Sequence, residues 1–99
     1  MYKITKQSID AFYNAKPFKK GNMEIKVLPN VTVMLLHDNE IAYRYNDPNK
    51  TLMITSAGWK TNVTRSRLNA LKGVELFQKD FEWFLNGEIW NGDLIEVKQ

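Results

Sequence analysis

The strand-length apolar segments of this chain are joined by turns of only a few residues. Turn-forming residues separate neighbouring segments at positions 38–39, 47–49 and 86–87. Two-residue turns can join antiparallel strands, whereas a parallel connection needs a dozen or more residues. The sequence therefore predicts a mostly antiparallel sheet, and it excludes the crevice in which doubly wound parallel sheets bind nucleotides.

A short helix is predicted near the start of the chain. Thr5 is a suitable N-cap, and Ile4 and Ile9 occupy the positions of a hydrophobic staple around it. Ile9 and Phe12 share one helical face, which we expect to be buried. The helix should end near Pro17, because a proline disfavours the helical conformation at the residue before it.

Four strands are predicted after this helix, at residues 24–27, 31–36, 41–45 and 51–55. The segment 31–36 is apolar on nearly both faces, which is typical of a strand in the middle of a sheet. In the next strand, alternation places Ile41, Tyr43 and Tyr45 on one face. The two-residue turn at 38–39 joins these two strands into a hairpin.

A second helix of about three turns is predicted over residues 61–72, with Gly73 as the left-handed residue that ends it. Successive helical residues are rotated by about 100°. Thr64, Leu68 and Leu71 therefore fall on one stripe, which should face the core.

The last third of the chain contains further strand segments, at residues 74–79, 81–85, 89–90 and 94–97. Alternation places Phe81, Trp83 and Leu85 on one face, with Phe84 on the other. Apolar residues on both faces of a short strand indicate an interface.

The elements together follow the order α-ββββ-α-βββ. This order predicts an α+β fold, in which one or two helices pack on a small, mostly antiparallel sheet. A chain of 99 residues that is 43% hydrophobic can build one core. We therefore expect a single domain over residues 1–99.

The side chains needed for most catalytic and metal sites are missing or isolated. The chain has no cysteine and one histidine, His37, for which a surface or packing role is expected beside a turn. The acidic residues of the last third alternate along strands or lie in turns, as on a solvated face. We therefore expect no enzyme activity, no metal site and no cofactor.

Targeting and membrane signals are also missing from the sequence. No segment is long and apolar enough to span a membrane. The first ten residues lack the apolar centre of a secretory signal. A cytoplasmic protein that does not bind membranes is expected.

Basic and acidic residues are unevenly distributed along the chain. Residues 41–72 contain six basic residues and one acid, whereas residues 73–99 contain two basic residues and six acids. If the basic residues share one side of the fold, they would form a surface that binds the phosphates of nucleic acid. The charges could equally cover solvated faces and pair with each other, so both interpretations stay open.

The stretch GWKTNVTRSRLNALKG, at residues 58–73, carries most of the functional signal. It combines an aromatic face, basic side chains and the amides of a helix N-terminus, all of which can recognise nucleic acid. The candidate residues for binding nucleic acid or another partner are Trp59, Lys60, Arg65, Asn69 and Lys72. A structural interpretation also fits, with the tryptophan as a core anchor and Arg67 partly buried beside a carboxylate.

Three segments resemble a group of short proteins encoded by tailed bacteriophages. They are FKKGN at 18–22, AGWKTNVTRSRLNAL at 57–71 and FQKDFEWFLNG at 77–87. At the turn of the last segment, Asp80 and Phe81 replace a Lys-Gly type pair, so the turn geometry is not carried over. The resemblance implies an accessory role in the cytoplasm of an infected bacterium.

Two functional hypotheses follow for a non-catalytic accessory protein. One is that it binds nucleic acid through the basic face of the second helix. The other is that it inhibits a host or defence enzyme, of the anti-CRISPR or anti-restriction type, by docking on that protein. The basic helix favours the first hypothesis, and the acidic last third favours the second.

Overall fold

Residues 3–98, which the computed structural model describes, form two helices and nine strands. The elements are α1 (Lys3–Tyr13), β1 (Phe18–Lys20), β2 (Met23–Val27), β3 (Val31–Leu36), β4 (Asn39–Tyr45), β5 (Leu52–Ile54), α2 (Asn62–Asn69), β6 (Leu76–Lys79), β7 (Glu82–Leu85), β8 (Glu88–Ile89) and β9 (Ile95–Val97). This order confirms the predicted α+β class.

The strands form two antiparallel sheets. The large sheet has the order β1-β2-β3-β4-β5-β9, and the small sheet has the order β6-β7-β8. Strand β3 lies inside the large sheet between β2 and β4, as its two-sided apolarity predicted. None of the described helices is long and apolar enough to cross a membrane.

One strand was missed by the sequence prediction, and the partner of another was left open by it. Strand β1 was not predicted, because its two lysines give no apolar alternation, and it pairs with β2 across the turn at Gly21. Strand β9 follows the small sheet in sequence but pairs with β5 of the large sheet. The chain therefore returns to the large sheet after forming the small one.

A single cluster of buried residues joins the helices and both sheets. Phe12 of α1, Met34 of β3 and Leu68 of α2 belong to it, and all three are fully buried. Trp83 and Leu85 of β7 belong to the same cluster. The small sheet therefore packs one face on the core that the large sheet also uses.

Helix α1 differs from the prediction at both ends. Thr5, the predicted N-cap, lies inside the helix and is buried. At the other end, the amide of Lys16 donates to the carbonyl of Ala11 at 2.9 Å, and Ala15 has a φ of 52°. This Schellman-type closure ends the helix at Tyr13, ahead of the predicted proline stop.

The turn between β3 and β4 lies one residue earlier than predicted. Its two central residues are His37 and Asp38, with φ values of 51° and 66°, and Leu36 pairs with Asn39 across it. Positive φ at both central residues is the type I′ geometry of tight hairpins.

A β-bulge in β4 overturns the predicted facing of its side chains. The register shifts after Met34, and Ile41 is the extra residue. Ile41 and Ala42 are consequently both buried in the core. Alternation resumes from Ala42, so Tyr43 and Tyr45 lie on the opposite face of the sheet from Ile41.

Helix α2 begins as predicted but ends early. Thr61 is its N-cap, and the Thr61 hydroxyl accepts a hydrogen bond from the amide of Thr64 at 3.1 Å. The helix ends at Asn69 rather than near residue 72. Beyond that point, the amides of Ala70 and Leu71 bond to carbonyls three residues back, which tightens the last turn.

The predicted inner stripe of α2 is confirmed. Thr64, Leu68 and Leu71 are all buried. Arg67 is also buried, with only 8% of its surface exposed, so the expected burial of its stem is confirmed as well.

The facing of β7 was predicted correctly except at its start. Trp83 and Leu85 are buried on the inner face, and Phe84 lies on the outer face. Phe81, which was predicted to share the inner face, lies instead in the two-residue turn before β7. Phe81 is therefore at the surface and does not share a face with Trp83 and Leu85.

Candidate functional site

Trp59 lies at the end of a tight turn between β5 and α2. Its amide donates to the carbonyl of Ser56 at 2.9 Å. Between them, Ala57 and Gly58 have φ values of 55° and 84°. The Trp59 side chain is 58% exposed, so it is not the core anchor of the structural interpretation.

Two hydroxyl groups attach this turn to the chain ahead of β9. Thr55 Oγ1 and Ser56 Oγ donate to the carbonyl of Gly92 at 3.0 and 3.2 Å. The same oxygens accept hydrogen bonds from the amides of Ala57 and Gly58. The position of Trp59 is therefore fixed by backbone and hydroxyl hydrogen bonds that do not involve its own side chain.

A pocket of about 420 Å³ lies beside Trp59, and we call it the Trp59 pocket. Its apolar wall consists of Leu36, Ile41, Trp59 and Val63, and its polar groups come from His37, Asn39, Ser56, Thr61 and Thr64. Within residues 3–98, no aspartate, glutamate, lysine or arginine lines it. The pocket is therefore suited to an uncharged group.

Arg65 and Asn69, two of the predicted site residues, contact strand β6. Arg65 donates to Gln78 Oε1 at 2.7 Å and to Asn62 Oδ1 at 3.0 Å. Asn69 Nδ2 donates to the backbone carbonyl of Leu76, and Asn69 Oδ1 accepts from the backbone amide of Leu76, each at 2.7 Å. These two side chains fasten the small sheet to α2, which is a structural role for two residues that were predicted to bind a partner.

Lys72 lies beside Tyr13 and Arg44, and we call these three residues the Tyr13 cluster. Lys72 Nζ and Arg44 Cζ each lie 5.2 Å from the centre of the Tyr13 ring, a cation–π distance. The Lys72 amide also donates to the Tyr13 hydroxyl at 2.9 Å. Burial raises the pKa of Tyr13, while that hydrogen bond and the charge of Arg44 oppose the shift.

The five predicted site residues thus occupy three places. Trp59 and Lys60 precede the N-terminus of α2, Arg65 and Asn69 contact β6, and Lys72 joins the Tyr13 cluster beyond the C-terminus of the helix. The structure brings Trp59 together with His37 and Asn39, which the sequence did not connect with it.

A row of apolar side chains crosses the outer face of the small sheet. Phe77 pairs with Phe84, and Phe84 pairs with Ile89. The two phenyl rings are stacked, with centroids 5.1 Å apart. Phe77 is 43% exposed and Ile89 is 67% exposed. We call these three residues the outer row.

The turn between β6 and β7 carries a further exposed apolar residue, Phe81. Asp80 and Phe81 have φ values of 53° and 67°, and Phe81 is 97% exposed. A bulky residue rarely adopts a positive φ, which glycine adopts without strain. The turn therefore keeps an aromatic side chain in water at a position where glycine would be more stable.

Acidic side chains surround the outer row. Glu82 pairs with Lys79 on the same face of the sheet, and Asp80 lies at the turn. Glu75 and Glu88 lie near the other end of the strands, where Glu88 is opposite Leu85 at the edge of the inner face, and all four acids are exposed. We call these four acids the acidic rim.

The chain matches the family described as Kyanoviridae Gp96 protein over residues 1–97. It belongs to this phage protein family. No curated protein and no solved structure matches it. The expected likeness to phage proteins is therefore confirmed at the level of the family, while the likeness of the block at 57–71 stays a prediction.

In this Gp96-family chain, sequence reasoning found part of the outer row. It placed Phe84 on the outer face but did not connect Phe77 and Ile89 with it. The signal was present: two-residue turns at 80–81 and 86–87 set a register that puts Phe84 opposite both residues. Among residues 3–98, no three His, Asp or Glu side chains are grouped as a possible metal site.

Proposed function

We propose that this Gp96-family protein is a non-catalytic accessory factor that binds another protein through the outer row and Phe81. The observation that carries the proposal is that Phe77, Phe81 and Ile89 are exposed on the small sheet and its first turn, beside the half-buried Phe84. Exposed apolar patches on a folded domain mark interaction sites, and buried aromatic anchors supply much of the energy at such interfaces.

The strain at Phe81 supports the same role. A residue that would be more stable as glycine, and that leaves an aromatic ring 97% exposed, contributes nothing evident to the fold. A phenyl ring at the tip of a hairpin can enter a pocket on a partner without any rearrangement of the sheet.

The acidic rim indicates the kind of partner. Four acids and one lysine surround the outer row between residues 75 and 90. A complementary surface would carry an apolar centre surrounded by lysine and arginine. Nucleic-acid-binding proteins of the host, including defence nucleases, present such basic surfaces, so the protein acts as an inhibitor that competes with their nucleic acid.

The absence of catalysis in this proposal rests on how the polar groups are placed. His37 lies in a two-residue turn, and within the described chain no carboxylate lines the Trp59 pocket beside it. A histidine needs an oriented partner to act as a general base.

A pull-down of host proteins with the tagged full chain tests protein binding. The lysate is used with and without nuclease, and the unchanged protein is compared with Ile89→Ser. The matched control is Leu28→Ser, which removes an exposed leucine from the turn between β2 and β3.

We expect nuclease-resistant capture of a basic protein, lost with Ile89→Ser and kept with Leu28→Ser. Equal capture by both variants would contradict the proposal. Capture that disappears on nuclease treatment would also contradict it and would favour nucleic acid as the partner.

Binding of nucleic acid is the second candidate function, and the Tyr13 cluster favours it. Arg44 and Lys72 both lie over the Tyr13 ring, and Arg44 also lines a groove of about 190 Å³ together with Lys50. In this hypothesis, Lys60 and Arg65 extend the basic surface along α2.

Fluorescence anisotropy with short single- and double-stranded oligonucleotides, at several salt concentrations, tests the second candidate. Each lost phosphate contact reduces the slope of log K against log[salt] by about one. We expect Lys72→Ala and Lys50→Ala to do so, and Lys98→Ala to leave the slope unchanged. A salt-independent affinity would contradict nucleic-acid binding at this surface.

A further inference from the structure

We propose that the Trp59 pocket binds one unpaired nucleobase, stacked on the indole ring of Trp59. No residue of the outer row lines this pocket, so the inference goes beyond the proposed protein binding. It supplies the base-binding part of the second candidate function, whose phosphate-binding part is the Tyr13 cluster.

The size and shape of the pocket fit a planar ring system. Its volume of about 420 Å³ lies in the range of small-molecule sites. The indole of Trp59 is more than half exposed, and Leu36, Ile41 and Val63 line the pocket with it. Aromatic side chains with one open face are the usual stacking platforms for unpaired bases.

The polar groups of the pocket fit the edge of a base. No charged side chain of residues 3–98 lines it, so a free carboxylate or phosphate would find no counter-charge inside. His37 and Asn39 supply hydrogen-bonding groups. The Asn39 amide is held by its hydrogen bond to the His37 carbonyl at 3.1 Å, so its orientation is set before a ligand enters.

The position of Lys60 distinguishes a nucleotide from a simple aromatic ligand. Lys60 follows Trp59 directly, is exposed, and does not line the pocket. A base inside the pocket would leave its phosphate in water near this ammonium group. An aromatic side chain of a protein carries no phosphate for this ammonium group to contact.

The hydrogen bonds behind Trp59 keep the site in a binding-ready form. The turn that carries the indole is fixed to Gly92 through Thr55 and Ser56, as described above. Little ordering of the chain is therefore needed when a base binds, which lowers the entropic loss.

Intrinsic fluorescence tests the inference, because the other tryptophans, Trp83 and Trp90, are buried. The full chain is titrated with adenosine and uridine monophosphates, with ribose 5-phosphate, and with a short oligonucleotide in intact and abasic forms. We expect saturable quenching by the two nucleotides and the intact oligonucleotide. Ribose 5-phosphate should not quench, and the abasic strand should bind about 5- to 150-fold more weakly, as expected for one lost stack.

Variants of Trp59 separate stacking from simple apolar contact. Trp59→Phe keeps an aromatic face and should keep most of the affinity, measured by anisotropy with the labelled oligonucleotide. Trp59→Leu keeps an apolar side chain and should lose affinity as far as the abasic strand does. Because Trp59 is exposed, both variants should unfold at the same denaturant midpoint as the unchanged protein.

Three results would overturn the inference. The first is no saturable quenching by nucleotides at millimolar concentration. The second is equal binding of the abasic and intact strands. The third is displacement of the nucleotide by N-acetyltyrosinamide at lower concentration, which would assign the pocket to a protein side chain. None of these results would alter the capture lost with Ile89→Ser, so failure of the pocket and failure of the proposed function are distinguishable.

Discussion

Single residues with a positive φ determine where this chain turns. Asn86 and Gly87 follow the usual preference for such positions, but Ala57, Lys50 and Phe81 also adopt positive φ. Sequence preferences identify the first kind of turn and miss the second. Lys50 and Phe81 are held by the pairing of the strands on either side, and Ala57 by the hydrogen bond from its amide to Thr55 Oγ1.

Gly92 combines a positive φ with a close contact. Its φ is 92°, and a Cβ at this position would collide with Ser56 Oγ. Gly87 has a φ of 90° with open space around it. We expect Gly87→Ala to cost about 1 kcal/mol, from φ alone, and Gly92→Ala to cost about 1 to 3 kcal/mol more, from the collision.

Denaturant unfolding of both variants tests this difference, and the emission of Trp59 reports on its turn. We expect the emission to change only in Gly92→Ala, because only that variant disturbs Ser56. Equal losses of stability in the two variants would show that the contact with Ser56 is not important.

Asp47 gives the turn after β4 a dependence on pH. Its carboxylate accepts hydrogen bonds from the Thr51 amide at 2.9 Å and the Thr51 hydroxyl at 2.7 Å. These bonds lower the pKa of Asp47 from its ordinary value. A lowered pKa contributes stability that is present above the ordinary carboxyl pKa and is lost as the pH falls through the folded value.

We therefore expect Asp47→Asn to be less stable than the unchanged protein at pH 7. The difference should shrink as the pH falls below about 4, because protonation then removes the charge of the Asp47 carboxyl group in the unchanged protein. Denaturant titrations at both ends of this range measure it. A difference that stays constant with pH would mean that the charge of Asp47 is not involved.

At the scale of elements, the spacing of apolar residues predicted burial better than capping residues, prolines and glycines predicted where helices end. It located β3 inside the large sheet and the stripe of α2, because burial follows from spacing alone. The end of α2 was not predictable in this way, since Asn69 bonds the backbone of Leu76, a contact between distant segments. Strand β1 was missed because its pairing with β2, rather than its own residues, makes it a strand.

Leu68 and Arg65 test the phase of α2. Leu68 is fully buried, and truncating a buried leucine costs about 2 to 5 kcal/mol. Arg65 is partly exposed and bonds only two polar side chains, so Arg65→Ala should cost less than about 1 kcal/mol. Denaturant midpoints of Leu68→Ala and Arg65→Ala measure both, and equal shifts would contradict the packing of this helix.

At the scale of the whole molecule, the predicted site was only partly recoverable from the sequence. Trp59 was identified, but its neighbours in the pocket come from the turn between β3 and β4, far away in sequence. Arg65 and Asn69 were also identified as candidate binding residues, but in the structure they hold the small sheet. Helical spacing shows which side chains share a face of the helix, but it does not show which strand will pack against that face.

The two sheets also separate the surfaces on which the functional proposals rest. The acidic rim and the outer row belong to the small sheet, whereas the Tyr13 cluster joins α1, β4 and the chain after α2. The uneven charge of the sequence thus corresponds to different regions of the fold.

Phe81→Gly tests most directly whether the small sheet serves binding. Glycine adopts a φ of 67° without strain, so we expect the free energy of unfolding to rise by about 1 kcal/mol. Nuclease-resistant capture of the partner should fall roughly 10-fold or more, as for an aromatic anchor at an interface. The matched control is Lys50→Gly, which relieves a φ of 51° in the large sheet and should leave capture unchanged.

Denaturant unfolding and quantitative capture are measured on the same preparations of the Phe81→Gly protein. A variant that is more stable and binds less would show that Phe81 is kept for binding at the expense of the fold. A variant that is less stable, or one that captures as much partner as the unchanged protein, would contradict the assignment of the outer row and Phe81 as a protein-binding surface.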